Sequence, residues 1–342
     1  MAKLSREMKA KGFDIINLSL GEPDFDTPMH IKQAAIDAIN ENYSHYPPVS
    51  GYPDLRQAIA DKFLRENGLN YKPSQVVVST GAKQAIYNVL MSLLSEGDEV
   101  IIPGPYWVSY PEMVKMAEAT SVFINAGIDQ DFKITPAQLE KAITPKTKAF
   151  IYSNPSNPTG SFYNHEELKG LAEVFARHPN VHIVSDEIYE HINFTGKHSS
   201  LAESPEIFER CIVINGVSKS FAMTGYRMGY LAASQDIANA CEKIQGQVTS
   251  GACAITQRAT IVALNSDMAP TYKMAAAFLE RRDFIVNKLK NIPELISNEP
   301  QGAFYVFPDA SSFLGKQYNG EQILNTTDLS MYLLLPACIL FF

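Results

Sequence analysis

Along most of the chain, short unbroken apolar runs alternate with stretches in which apolar residues recur at helical spacing. Ala2 to Lys11 has helical character and stops at Gly12. Ile15 to Leu20 is an apolar run broken by Gly21-Glu22-Pro23-Asp24. Ile31, Ala35, Ile36 and Ile39 predict a helix over Met29 to Asn42. His45 to Arg56 reads as an ordered loop, in which Pro53 starts a helix ending near Gly68. Strands follow at Gln75 to Ser79, Glu99 to Ile102, Ser121 to Ile124, Thr147 to Tyr152, Val181 to Ser185, Ile212 to Asn215 and Met228 to Ala233. Between them lie helices over Gly81 to Ser95 and Pro111 to Ala119. A third opens at Pro136 behind a Thr135 cap, and a fourth runs from the Asn164/Glu167 capping pair to Arg177. From Asp236 the pattern is helical to Leu289, and Ala303 to Phe307 reads as a strand between Gly302 and Pro308. Continuous apolar strands are buried on both faces, and helices between them imply an α/β protein with a mostly parallel sheet. The later part reads as a second, smaller domain, joined by the N-terminal segment.

Composition narrows the field. The chain has 342 residues, of which 46% are hydrophobic and 19% charged. That is enough for a large core and two domains. A net charge of -8 argues against non-specific nucleic-acid binding. Cys211, Cys241, Cys253 and Cys338 have neither CxxC nor metal-ligand spacing, and read as reduced thiols of a cytosolic protein that binds no metal. No secretory signal is visible behind Lys3, Arg6, Lys9 and Lys11. The apolar tail Met331 to Phe342 is short of the ~20 residues needed to span a bilayer, so no membrane role is expected.

Chemistry gathers where strands end, which is where open α/β sheets bind ligands. Ser79-Thr80-Gly81-Ala82-Lys83 suits a phosphate at a helix N-terminus, or is a plain turn. Pro105-Tyr106-Trp107 holds the one tryptophan, which stacks on a flat ring or fills core. Ser153-Asn154-Pro155-Ser156-Asn157-Pro158-Thr159-Gly160 is a stiff loop that aims an amide. Asp186 ends a buried strand, a costly place for a carboxylate without a cation or strong donors, and Tyr189 follows three residues on. Asn215 to Tyr230 reads NGVSKSFAMTGYRMGY. Lys219 there, flanked by Ser218 and Ser220 with Arg227 beyond, suggests a covalent carbonyl trap beside a phosphate clamp.

Together, SNPSNPTG, SDEIYEH and NGVSKSFAMTGYRMGY resemble the class I aminotransferases of pyridoxal-phosphate fold type I. The resemblance runs from Asn17 to about Tyr332, and GAK with PYWVSYPEM is most similar to the bacterial aspartate and prephenate subgroup. It implies a three-layer large domain over residues 30–268 and a smaller α+β domain from 1–29 and 269–342. It also implies a cytoplasmic homodimer with pyridoxal 5'-phosphate as cofactor. The reaction implied transfers an amino group between aspartate or glutamate and 2-oxoglutarate or oxaloacetate. In that family's terms Lys219 would hold the cofactor aldehyde as a Schiff base and shuttle the substrate proton. Asp186 would face the pyridine nitrogen, and Tyr189 and Asn157 the phenolate oxygen. Arg227, Ser218 and the N–H groups of Ala82 and Lys83 would hold the phosphate, with Tyr46 reaching the phosphate of the neighbouring subunit. Trp107 would stack on the ring, Gly21 would let the N-terminal loop close over the substrate carboxylate, and Lys83 would attract a distal carboxylate.

The ends depart from the family pattern. Leu335-Pro336-Ala337-Cys338-Ile339-Leu340-Phe341-Phe342 takes the place of a region that normally carries a carboxylate-binding arginine, and the last arginine is Arg282. The expectation is a C-terminally truncated chain with a complete cofactor site and an incomplete substrate site. The competing readings are an aminotransferase of prephenate, aromatic or alanine specificity, a lyase sharing the cofactor, and a chain that binds cofactor with little turnover.

Overall fold

The computed structural model describes residues 2–18, 21–318, 320–337 and 339–340. Ser19, Leu20, Cys338, Phe341 and Phe342, on which parts of the sequence reading fall, lie outside the described residues. In chain order the strands are β1 Ile16–Asn17, β2 Val76–Ser79, β3 Glu99–Gly104, β4 Thr120–Asn125, β5 Thr147–Ser153, β6 His182–Asp186, β7 Cys211–Gly216, β8 Gly229–Ala232, β9 Gln317–Tyr318, β10 Glu321–Gln322 and β11 Ile339–Leu340. The α-helices are α1 Ala2–Ala10, α2 Met29–Asn40, α3 Pro53–Lys62, α4 Ala82–Leu93, α5 Ser109–Met116, α6 Pro136–Ala142, α7 His165–Arg177, α8 Gln235–Val248, α9 Ala254–Asn265, α10 Ala269–Leu289 and α11 Thr326–Ala337.

Strands β2 to β8 form one seven-stranded sheet in the order β2-β8-β7-β6-β5-β3-β4. Every pairing is parallel except those of β8, which runs antiparallel to both β2 and β7. Successive side chains of a strand point to opposite faces, and the apolar runs therefore feed two cores. Val76, Val78, Ile101, Phe150, Ile183, Val213 and Tyr230 enter one cluster with α3, α7 and α9 residues. Val77, Val100, Ile102, Ile151, Val184, Ile214 and Leu231 enter the other, with α4, α5 and α8 residues. This is the three-layer α/β architecture that the sequence implied.

Local signals account for the element ends. Thr135 and Asn164 each close a capping box with Gln138 and Glu167. The helix that Pro53 starts tightens into a π turn, Phe63–Asn67, and stops at Gly68 with φ +70°. The long helical pattern after Asp236 is three helices, because Ser250 and Gly251 take positive φ between α8 and α9 and a second break precedes α10. The strand expected over Ala303 to Phe307 does not form. Ala303 has φ +55°, and only Gly302 makes an isolated bridge, to Asn193. That segment folds inward instead, as described below. Helix α11 is an element that the apolar pattern does not announce, and Asn325 Oδ1 accepts from the Asp328 N–H at its start. Among the described residues no helix is long and apolar enough to cross a membrane.

Register sets where chemistry collects. Ser79 pairs with Gly229, Gly216 with Gly229, Ile214 with Asp186, and Asp186 with Ser153. The carboxyl ends of β2, β5, β6 and β7 and the start of β8 thus share one edge. A Cβ on Gly229 would overlap the backbone nitrogen of Ala82 and the carbonyl carbon of Gly81. Backbone cannot give way there as a flexible side chain can. Gly229→Ala is therefore expected to lower the unfolding midpoint by several degrees, corresponding to ~1–3 kcal/mol. Thermal unfolding indistinguishable from that of the parent chain would contradict this packing.

Candidate active site

Each strand end contributes one group to a common cleft. Lys219 follows β7, and its amine donates to the carbonyl of Gly21 from the N-terminal segment. The Nζ atom lies 5.8 Å from the Tyr189 ring centre and 5.6 Å from that of Phe304. Burial pulls the amine down to about 8. Glu22 opposes that shift, Arg227 adds to it, and Asp186 opposes it weakly. An amine brought to that range carries a reactive lone pair near neutral pH.

The turn bearing Lys219 is held from three directions. Thr27 Oγ1 donates to the Ala222 carbonyl, Thr271 Oγ1 at the start of α10 donates to the Ser220 carbonyl, and His191 meets the Ser220 hydroxyl. Ala222 takes φ +51°, and Arg227 takes φ +54° as the chain turns back into β8.

Asp186 is the last residue of β6 and is buried. Tyr110 of α5 donates its hydroxyl to Asp186 Oδ2 at 2.7 Å. Burial raises the Asp186 carboxyl to about 6, even though Tyr110 and the Ile188 N–H pull the other way. Trp107 meets Tyr110 edge-on at 5.5 Å, and Lys83 Nζ lies 4.8 Å above the Trp107 ring. Tyr189 is on the turn after Asp186, with its hydroxyl 2.5 Å from that of Tyr305. Asn157 Nδ2 donates to Tyr305 at 3.4 Å. Desolvation raises the Tyr189 phenol well above its usual range, and pushes Tyr305 up to about 12.

At the far side of the cleft, Gly81 takes φ +84° and caps α4, whose first residues are Ala82 and Lys83. A Cβ on Gly81 would come within 2.5 Å of Arg227 Nη2. Glycine is therefore what lets an exposed guanidinium lie over a helix N-terminus, where leading N–H groups lack intrahelical partners. Ser218, directly before Lys219 in sequence, is buried.

The fold thus brings Lys219, Asp186, Tyr189, Asn157, Gly21 and Arg227 together, with Trp107 and Lys83 linked through Tyr110. It does not bring Tyr46 in. That residue is 94% exposed and lines a separate hollow with His45, Pro47, Thr249 and residues 251–254. Two participants were not foreseen, Tyr110 and Tyr305. Tyr110 is three residues after Trp107, so helical spacing was the available signal. Tyr305 lies in an apolar run that looks like a strand, and its inward turn has no sequence marker.

A family model for class I and II aminotransferases matches residues 14–330. A probable aspartate/prephenate aminotransferase of Rhizobium leguminosarum bv. phaseoli is 48% identical over 332 residues, covering 96% of this chain and 82% of that protein. An aspartate aminotransferase of Geobacillus stearothermophilus is 51% identical over 309 residues, covering 90% and 78%. Among solved structures, the aspartate aminotransferase of Rhizobium meliloti superposes with a TM-score of 0.95 at 41% identity, covering 99% of this chain and 86% of that one.

The raised Asp186 carboxyl gives a stability prediction for the cofactor-free chain. An acid that holds its proton more tightly when folded stabilises the fold below pH 3.8, and that help is lost as pH rises through about 6. Asp186→Asn is therefore expected to be the more stable form at pH 7.5, by up to about 3 kcal/mol. The gain should shrink steadily as the pH falls toward 4. Urea unfolding at several pH values checks this, and a pH-independent difference would contradict it.

Proposed function

Because the chain belongs to the class I and II aminotransferase family, we propose that it transfers amino groups between an acidic amino acid and a 2-oxo acid, using pyridoxal 5'-phosphate. One observation carries the reading. The partly neutral amine of Lys219 lies within electrostatic reach of both a buried, under-compensated acid and an arginine at a helix N-terminus.

The donor set fits the cofactor. Among the described residues Asp186 has no ion-pair partner and only a small electrostatic share of Lys219, and a protonated ring nitrogen would supply the missing cation. Tyr189 and Asn157 suit the ring's phenolic oxygen. Gly81 leaves the room that Arg227, Ser218 and the first N–H groups of α4, at Ala82 and Lys83, need to cradle a phosphate. Trp107 offers a face for the ring. Bound cofactor supplies an electron sink that lets the substrate Cα–H bond release its proton. Lys219 Nζ is the base that takes that proton, since its affinity near pH 8 matches working pH. Tyr189, whose phenol resists ionisation, acts as a hydrogen-bond donor.

Lys83, a cation held at Trp107, supports a substrate with a second carboxylate. Relatives carrying the aspartate and aspartate/prephenate names support the same class. Gly21, through its carbonyl on Lys219, supports a role for the N-terminal loop over the substrate. The exposure of Tyr46 supports a homodimer in which its phenol serves the neighbouring subunit's phosphate. We assign residues 30–268 to cofactor binding and 1–29 with 269–342 to the covering part. The free cysteines Cys211, Cys241 and Cys253 support a reducing, cytoplasmic setting.

Purified protein given the cofactor should turn yellow, and borohydride should fix the label at Lys219. Aspartate and glutamate should bleach the colour faster than alanine or phenylalanine. Lys219→Ala should lose transamination by at least ~100-fold. A colourless protein that takes up no cofactor would end this reading.

A further inference from the structure

A run of buried polar side chains connects the lysine turn to the loop bearing Asp186 and Tyr189. His191 lies two residues beyond Tyr189, and its side chain is 13% exposed. Nδ1 is 2.8 Å from Ser220 Oγ, and Nε2 is 2.8 Å from Glu66 Oε2. Ser220 directly follows Lys219. We propose that His191 is a positioning residue for Lys219, its imidazole wedged between Ser220 and Glu66 so that the amine-bearing turn stays aligned with the Asp186–Tyr189 loop. The inference rests on reading Lys219 as the residue that carries the cofactor.

Hydrogen-bond logic fixes the ring's orientation. A carboxylate only accepts, so Nε2 carries a proton toward Glu66, and in the neutral ring Nδ1 accepts from the Ser220 hydroxyl. Burial alone would raise the Glu66 carboxyl. The bond from His191 and the charge of Lys62, 3.6 Å away, hold it below its usual range. The ring therefore rests on a charged, immobile anchor in the π turn after α3. Glu190, directly before His191, fastens the same loop through further partners, and its Oε1 lies 3.7 Å from His191 Nδ1. It pairs with buried Lys62, accepts from Asn67 at 3.0 Å, and accepts from Asn215 of β7 at 2.7 Å.

Magnitudes separate alignment from bulk stability here. The Lys62–Glu190 pair remains without the His191–Ser220 contact, and one neutral hydrogen bond contributes little to folding. A shift of ~1 Å in a reacting group, by contrast, can lower a rate ~100-fold. With Thr271 already holding the Ser220 carbonyl, the hydroxyl contact is what sets the rotation of the turn.

Two isosteric substitutions in the 342-residue chain divide the imidazole's contacts. In His191→Asn the amide overlays Nδ1 and keeps the Ser220 partner. In His191→Gln it overlays Nε2 and keeps only Glu66. The first readout uses cofactor-free protein, measuring by mass spectrometry how Lys219 acetylation by acetic anhydride varies with pH. His191→Gln, His191→Phe and Ser220→Ala should move that midpoint upward by at least about half a pH unit, as the turn loosens and the amine regains water. They should lower kcat ~10-fold while KM stays within ~3-fold. His191→Asn should match the parent chain in both. If His191→Phe fails to fold, Ser220→Ala and His191→Gln decide. An unmoved Lys219 midpoint in those two, or a His191→Gln indistinguishable from His191→Asn, overturns the proposal. A parent chain that never takes up cofactor would sink the aminotransferase reading instead, since the acetylation profile is read without it.

Discussion

The structure depends on keeping one carboxyl, that of Asp186, dry at the end of a central strand. The sheet makes this possible. Strands flank β6 on both sides, two apolar layers cover its faces, and Tyr110 supplies a phenolic donor from α5. Desolvating an acid to that degree is unfavourable unless a cation arrives. Among the described contacts its compensation is one hydroxyl at 2.7 Å, a long N–H contact from Ile188 at 3.4 Å and a distant share of Lys219. The fold thus holds a site short of one positive charge.

Three acids follow each other within five residues, and their surroundings separate their roles. Glu187 is fully buried and accepts from Ser185, Ser200 and His198. Glu190 is equally dry, but Lys62 pulls its carboxyl well below the usual range. Asp186 moves the opposite way, upward. Pairs of acids whose environments drive them apart mark a division between structure and chemistry. Glu190 has its cation within the fold, and breaking such a buried pair leaves a stranded charge worth ~3–5 kcal/mol. Glu190 therefore belongs to the framework, whereas Asp186 has no such cation bonded to it among the described contacts. Burial of His198 lowers its affinity for a proton, yet Glu187 and Glu190 together outweigh that and raise it.

Much of this was legible from residue order. The apolar runs gave the strands, the capping pairs gave α6 and α7, and the strand-end loops pointed to the cleft. Those signals are local, and the chain here obeys local rules. What escaped was non-local. Which strands are neighbours, and that β8 reverses, follow from pairing across 150 residues between Ser79 and Gly229. Tyr305 was unreadable because GAFYVF has strand composition, and only the positive φ of Ala303 turns it inward. Tyr110 drew no separate notice in the sequence, since one buried phenol both fills α5 packing and satisfies Asp186. The His191 to Glu66 contact joins segments 125 residues apart and left no periodic trace.

The separation of amine from acid is the last consequence of this architecture. An ammonium bonded to a carboxylate keeps its proton, because each charge stabilises the other. Here the two groups have different partners. Lys219 donates to the neutral carbonyl of Gly21, and Asp186 accepts from the neutral hydroxyl of Tyr110. The amine falls to about 8 and the acid rises to about 6, so neither is locked by the other. Gly21 can take that place because it has no side chain. A Cβ there would come within 2.5 Å of the Tyr305 hydroxyl, which is itself bonded to Tyr189 and Asn157. The N-terminal loop, the phenol pair and the lysine are therefore one interlocked unit. A ligand that draws Lys219 away from Gly21 therefore breaks the contact between that loop and the amine.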